Sequence, residues 1–145
     1  MRSKLLSFTL IYSFAVGCTP SATGPVTTKG TVKTKSGRPC DNALVVFHPL
    51  EKNRLNDPKP VGKTDNNGSF MLTTLAENDG ALPGDYAITV VWPGQDVKSS
   101  KMSLTGEGGA PGADQLKGKF GNPSKPLLKA TVPNKGGTEL AFEVD

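Results

Sequence analysis

The chain has 145 residues, with 17 Gly and 12 Pro, and 17 Lys+Arg against 13 Asp+Glu for a net charge of +4. That punctuation suits short strands and turns and suits long helices poorly, without reaching the low-complexity range. The basic residues stand singly between Gly, Ser and Pro rather than in one cluster, which argues against nucleic acid as a partner.

The chain begins like an exported protein. Arg2 and Lys4 head the apolar run LLSFTLIYSFAV, whose length of about a dozen residues fits a signal-peptide core and falls short of the ~20 needed to span a bilayer. Ala15, Val16 and Gly17 then meet Cys18. This resembles the bacterial lipobox, in which a lipid is attached to the cysteine sulfur and cleavage makes that residue the new N-terminus. Residues 1–17 are therefore expected to be a signal peptide, and 18–27 a lipidated Cys18 with a flexible Ser/Thr/Gly/Pro tether. Residues 28–145 then form the domain, held at the cell envelope by a membrane anchor at Cys18. The alternative is an ordinary signal-peptidase site after Gly17, since Ala15 and Gly17 satisfy the small-x-small rule; the product would be soluble, periplasmic or secreted. Loss of the leader takes away two of the 17 basic residues and none of the 13 acidic ones, so +4 becomes +2. Cys40 is read as a small, semi-buried turn residue, free if Cys18 is lipidated. In a released protein, an oxidising compartment would permit a Cys18–Cys40 disulfide.

Period-two patterning then marks seven strands. TKGTVKT (28–34) comes first, followed by ALVVFHP (43–49) and a short piece at PVGKT (60–64). GSFMLTT (68–74) puts Phe70, Leu72 and Thr74 on one face. DYAITVVWP (85–93) puts Tyr86, Ile88, Val90 and Trp92 on one side and Ala87, Thr89 and Val91 on the other. LLKATVP (127–133) and TELAFEVD (138–145) are expected to form a hairpin across NKGG, with Leu140, Phe142 and Val144 facing one way. Only ADQLKGKF (113–120) has room for a helical turn or two, and 50–59 and 94–126 read as loops. The expected fold is all-β: a seven-stranded antiparallel β-sandwich, Ig-like in layout, with long loops and at most one short helix.

Candidate sites are few. KTDNNGSF (63–70) crowds acids and amides near a glycine, but Asp65, Asn66 and Asn67 are consecutive, where a calcium loop needs oxygens at alternate positions. A tight turn with Asn-Gly at positive φ accounts for them. GEGGAPG (106–112) lacks the strand, the Lys-Ser/Thr and the glycine spacing of a phosphate cradle and reads as loop. Asp79 and Asp85 flank the turn DGALPGD. His48 is the only histidine and Trp92 the only tryptophan. Both are candidate ligand contacts, His48 at a strand end and Trp92 as a stacking platform; a satisfied strand-end histidine and a core tryptophan in register with Tyr86, Ile88 and Val90 are the competing roles. No catalytic, metal or cofactor residues are assigned.

Taken in order, GTVKTKSGRPCDNALVVFHP, GKTDNNGSFMLTT and DGALPGDYAITVVW resemble the transthyretin-like, carboxypeptidase-regulatory-like β-sandwich. There a G-x-V strand leads to a G-x-P turn, an A-x-V-x-F strand, a T-D-x-x-G-x-F hairpin and a P-G-x-Y-x-V-x-V strand. The tail DQLKGKFGNPSKPLLKATVPNKGGTELAFEVD is similar to the ending of small planctomycete-type exported lipoproteins. The resemblance covers residues 30–145 and speaks to fold rather than function; Cys40 stands where that family has a small apolar residue. The function expected is a non-enzymatic exported lipoprotein that binds a protein or glycan partner at the envelope. The alternatives are a structural spacer or adhesion-type domain, and a soluble periplasmic hydrolase of the transthyretin-related class. That class uses several histidines, an arginine and a C-terminal Tyr-Arg-Gly-Ser, whereas this chain has one histidine and ends in FEVD.

Overall fold

The computed structural model describes residues 24–94 and 112–145. The leader, Cys18 and most of the GEGGAPG loop lie outside the described residues. Seven strands follow in chain order: β1 Thr28–Thr34, β2 Leu44–Pro49, β3 Val61–Lys63, β4 Ser69–Met71, β5 Gly84–Val91, β6 Leu128–Val132 and β7 Thr138–Val144. They form a three-stranded sheet, β4-β1-β7, and a four-stranded sheet, β3-β2-β5-β6.

Alternation in each strand supplies one apolar face, and the two faces meet in a single core. Val32, Phe70, Phe142 and Val144 reach in from the three-stranded sheet; Val45, Phe47, Tyr86, Ile88, Val90 and Val132 reach in from the other. Phe47 meets Tyr86 and Phe142 edge-on at 5.5 and 6.3 Å, and Phe142 stacks on Phe70 at 6.2 Å, so aromatic contacts bridge the layers. Among the described residues, every member of this core lies between Val26 and Val144. The sheets close tightly beside Phe70, where a Cβ on Gly30 would lie 2.7 Å from its ring and one on Gly62 3.0 Å. Only glycines let β1 and β3 approach that ring from both sides.

At the start of β5 the Tyr86 hydroxyl donates to the Leu82 carbonyl at 2.7 Å and accepts from Arg54 Nη2 at 2.8 Å. A tyrosine bonded back to the chain a few residues upstream is the corner found in Greek-key sandwiches. Arg54 also donates to the Pro83 carbonyl at 2.6 Å and to Asp57 at 3.0 Å, tying the 50–59 loop to this corner.

Three expectations need correction. The pairing is mixed: β1 and β7 run parallel from Thr28↔Thr138 to Thr34↔Val144, while the other strand pairs are antiparallel. The β6–β7 hairpin does not form, because β6 pairs with β5 and β7 with β1, and residues 133–137 cross between sheets. Alternation shows that a strand has an inward face but not which of two facing layers it joins, so a short turn-like connector looked like a hairpin. Residues 113–120 are not helical. Lys117 (φ 54°) and Gly118 (φ 74°) are successive left-handed residues, which a right-handed helix cannot contain. Asp114 instead organises a turn, its carboxylate accepting from the N–H groups of Trp92, Leu116 and Gly118. The one helical segment among the described residues is a 3-10 turn, Lys52–Arg54, inside the 50–59 stretch.

Candidate interaction surface

With the inward positions spent on the core, the outward positions of each sheet decide what the molecule presents. On the three-stranded sheet, Lys29, Thr31 and Lys33 of β1 stand in register with Glu139, Ala141 and Glu143 of β7. Lys29 and Glu139 pair at 3.4 Å. Beyond the end of β7, Lys119 and Lys35 both reach Asp145, at 2.8 and 2.6 Å, and hold its carboxyl down at about 2. This face is charged and internally matched.

The four-stranded sheet differs. Leu44 faces Val91 across β2 and β5, and Val46 faces Val61 across β2 and β3. Leu127, just ahead of β6, stands two residues from the outward-facing Lys129. Leu44, Val61, Val91 and Leu127 are 37–59% exposed. Lys63 lies opposite Leu44 and Lys129 opposite Ala87, at the margins of the patch. Neither lysine, nor Lys59 near His48, makes an ion pair among the described residues. A contiguous apolar patch ringed by polar residues is the usual form of an interaction site.

His48 sits on this outward face. Its Nε2 is 2.9 Å from the Thr89 hydroxyl, and its pKa is lowered from the usual 6.5, first by burial and then by the charge of Lys59. It borders a hollow of about 270 Å³ with Ala87, Leu50, Leu55 and Pro123. Ala87 and Thr89 point outward yet are only 1% and 6% exposed, so the face is recessed here.

Trp92 is elsewhere. It is 4% exposed and belongs to the core, with the Arg38 guanidinium 4.8 Å above its ring. Its indole N–H is buried with no hydrogen-bond partner among the described residues. His48 and Trp92 therefore lie on opposite faces of the four-stranded sheet and do not form one site.

A larger hollow, about 780 Å³, opens between the edges of β3 and β4. Val61 and Thr73 exchange two backbone hydrogen bonds at 2.9 Å, and Asp65 N–H bonds the Ser69 carbonyl at 2.8 Å, while β3 and β4 themselves belong to different sheets. Its margin includes Lys29, Glu139 and Asp65. The first two pair with each other, and Asp65 Oδ1 accepts from Asn67 and Ser69 N–H at 2.8 and 2.9 Å. Those three charges are occupied within the chain, whereas Lys63 and Glu77 on the same margin make no ion pair among the described residues and Val61 is shared with the apolar patch, so the groove is a second candidate that adjoins the first.

The remaining singled-out residues have local roles. Asp65 caps its turn, with Gly68 at φ 75°; Asn67 is not at positive φ, so the turn rests on the carboxylate and one glycine rather than on an Asn-Gly pair. Burial alone would raise the Asp79 carboxyl, but the N–H groups of Thr74, Ala76 and Leu75 outweigh it and hold it below the usual range. Asp85 is a β5 residue that accepts from the Thr131 hydroxyl of β6 at 2.5 Å. Cys40 is fully buried, not semi-buried, and burial raises its thiol, offset in part by Arg38. A buried neutral thiol is a poor nucleophile.

The patch itself was missed in the sequence, although a signal was present. LVVFHP and DYAITVVW are apolar on both alternations, which marks a strand covered or coverable on both faces. No protein-family model, curated protein or solved structure matches the chain.

Proposed function

We propose that this chain is a non-enzymatic exported lipoprotein, anchored through Cys18, whose transthyretin-like β-sandwich binds a protein or glycan partner at the cell envelope. The binding half of this reading rests on one observation. Leu44, Val46, Val61 and Val91 form an apolar surface that the chain's own core does not use. The anchor half rests on the leader and the run Ala15-Val16-Gly17-Cys18.

Two measurements test it. The intact mass of the native protein is expected to correspond to cleavage before Cys18 with added acyl chains; an unmodified mass would remove the anchor. A photo-crosslinking residue placed at Val46 is expected to capture a partner in native envelopes, with the same probe at Thr31 as a control. Failure at every surface position tried would end the binding reading.

A further inference from the structure

We infer that the hollow beside His48 is the anchor pocket of this surface, and that it receives an apolar side chain flanked by carboxylates, borne by an acidic protein segment. The inference deepens the binding reading above and rests on it.

Size comes first. At about 270 Å³ the hollow falls just below the ~300 Å³ at which small-ligand pockets begin, and suits one inserted side chain better than a sugar chain or cofactor. Ala87, Leu50, Leu55, Pro49 and Pro123 give it an apolar side, while His48, Lys59 and Ser124 add polar groups, which suits an apolar side chain with polar neighbours. No Phe, Tyr or Trp lines it, whereas sugar recognition would call for an exposed aromatic platform.

Charge comes second. Lys59 stands at the mouth, Lys129 opposite Ala87, and neither has an acidic partner among the described residues. The nearby acid on this face, Asp85, accepts from Thr131 and makes no ion pair with Lys129, so it offsets that charge only in part, and Lys59 is the stronger attraction. A second copy docked through the same face about a two-fold axis would bring these lysines close together, and like charges across an interface are costly. Carboxylates on the occupant complement them.

The imidazole is compatible with the apolar part of that occupant and is neutral toward its charge. Burial and Lys59 lower the His48 pKa, so near neutral pH the ring adds no charge to the pocket wall. Specificity for acid then falls to the lysines.

The test uses the chain from Thr19 onward, which keeps the whole core described above, and follows the Ala87, Thr89 and His48 amides by NMR. The probe is a capped heptapeptide with a central Leu flanked on each side by two Glu. It is expected to shift these amides saturably, and a central Ser or flanking Lys in place of Glu should weaken binding about tenfold or more. Ala87→Leu should fill the hollow and abolish the response. Lys59→Glu, an exposed change that leaves packing alone, should weaken the acidic peptide and favour the basic one.

Equal response to the Ser peptide, or none to any peptide, overturns the inference. So does binding of phosphatidylglycerol vesicles through these amides that survives Ala87→Leu, which would make the face a lipid contact. Concentration-dependent self-association through the same amides overturns it in favour of a second copy. If the peptides fail while envelope crosslinking captures a partner through another surface, only this inference falls. If crosslinking captures nothing anywhere, the binding reading falls with it.

Discussion

The two sheets share one core, yet their outward faces have opposite chemistry. On the three-stranded sheet, Lys29 and Lys33 meet Glu139 and Glu143 in register, so its charges are matched inside the molecule. On the four-stranded sheet, leucine and valine meet valine across β2, β3 and β5, and the lysines at the margin make no ion pair among the described residues. Exposed ion pairs contribute roughly 0–1 kcal/mol each, so the first face is built to stay in water rather than to stabilise the fold. The second face leaves apolar area in water that folding does not require. The contrast teaches that one side of the sandwich is finished and the other is not.

Neighbours on a single strand sharpen that contrast most. Phe47→Ala, inward on β2, is expected to cost about 3–5 kcal/mol in urea denaturation, through lost transfer energy and a cavity. Val46→Ser, one residue away, outward and half-buried, is expected to cost about 1 kcal/mol. A comparable loss at Val46 would mean that the outward face is packed within the chain, and the contrast would collapse.

Tyr86→Phe comes next, at about 1–3 kcal/mol, because it leaves the Leu82 carbonyl and Arg54 each short of a partner. Its effect should also reach the His48 hollow, since Arg54 holds the loop that carries Leu50 and Leu55.

A pH effect should separate the faces further. The folded-state pKa of His48 is lowered, so as pH falls the unfolded chain takes up the proton first. Its contribution to stability is full above about 6.5 and is lost below that, toward the lowered folded value. Denaturation across this window should show the decline, and His48→Gln should flatten it.

The three-stranded face should respond least. Lys29→Ala is expected to change stability by about 0–1 kcal/mol in the same assay, and less at high salt. Asp145 is expected to titrate near 2 by carboxyl NMR, with its small contribution present above the usual 3.8 and lost as pH falls through about 2. Removing both Lys35 and Lys119 should return it to the ordinary range.

Most of the strands were legible because they carry period-two alternation with turn residues at their ends, from TKGTVKT to TELAFEVD, whereas β3 turns only Gly62 inward and was marked by little more than its short run between turns. What alternation cannot carry is the identity of a strand's neighbour. β6 and β7 both turn an apolar face to the same core from opposite layers, so the pattern of LLKATVP followed by TELAFEVD was equally compatible with a hairpin and a crossing. The 113–120 turn was hidden because Leu116 and Phe120 are spaced as on a helix, while the Lys117-Gly118 kink that brings both into the core lies in backbone dihedrals.

The candidate surface was half legible. His48 could be singled out as the lone histidine, but its setting depends on loops 50–59 and 121–127 arriving beside β5, which are tertiary facts. The outward apolar run of β2 and β5 was in plain sight as LVV and TVV. Reading each strand for one core face leaves the second alternation unexamined, and that is where the patch lies.

The most direct measurement is hydroxyl-radical footprinting of the protein in its native envelope, compared with the purified chain and read residue by residue by mass spectrometry. Protection concentrated at Leu44, Val91 and Leu127, with Met71 on the other sheet unchanged, is the predicted result. Protection at Met71 with the four-stranded face left reactive, or no protection anywhere, would contradict the account.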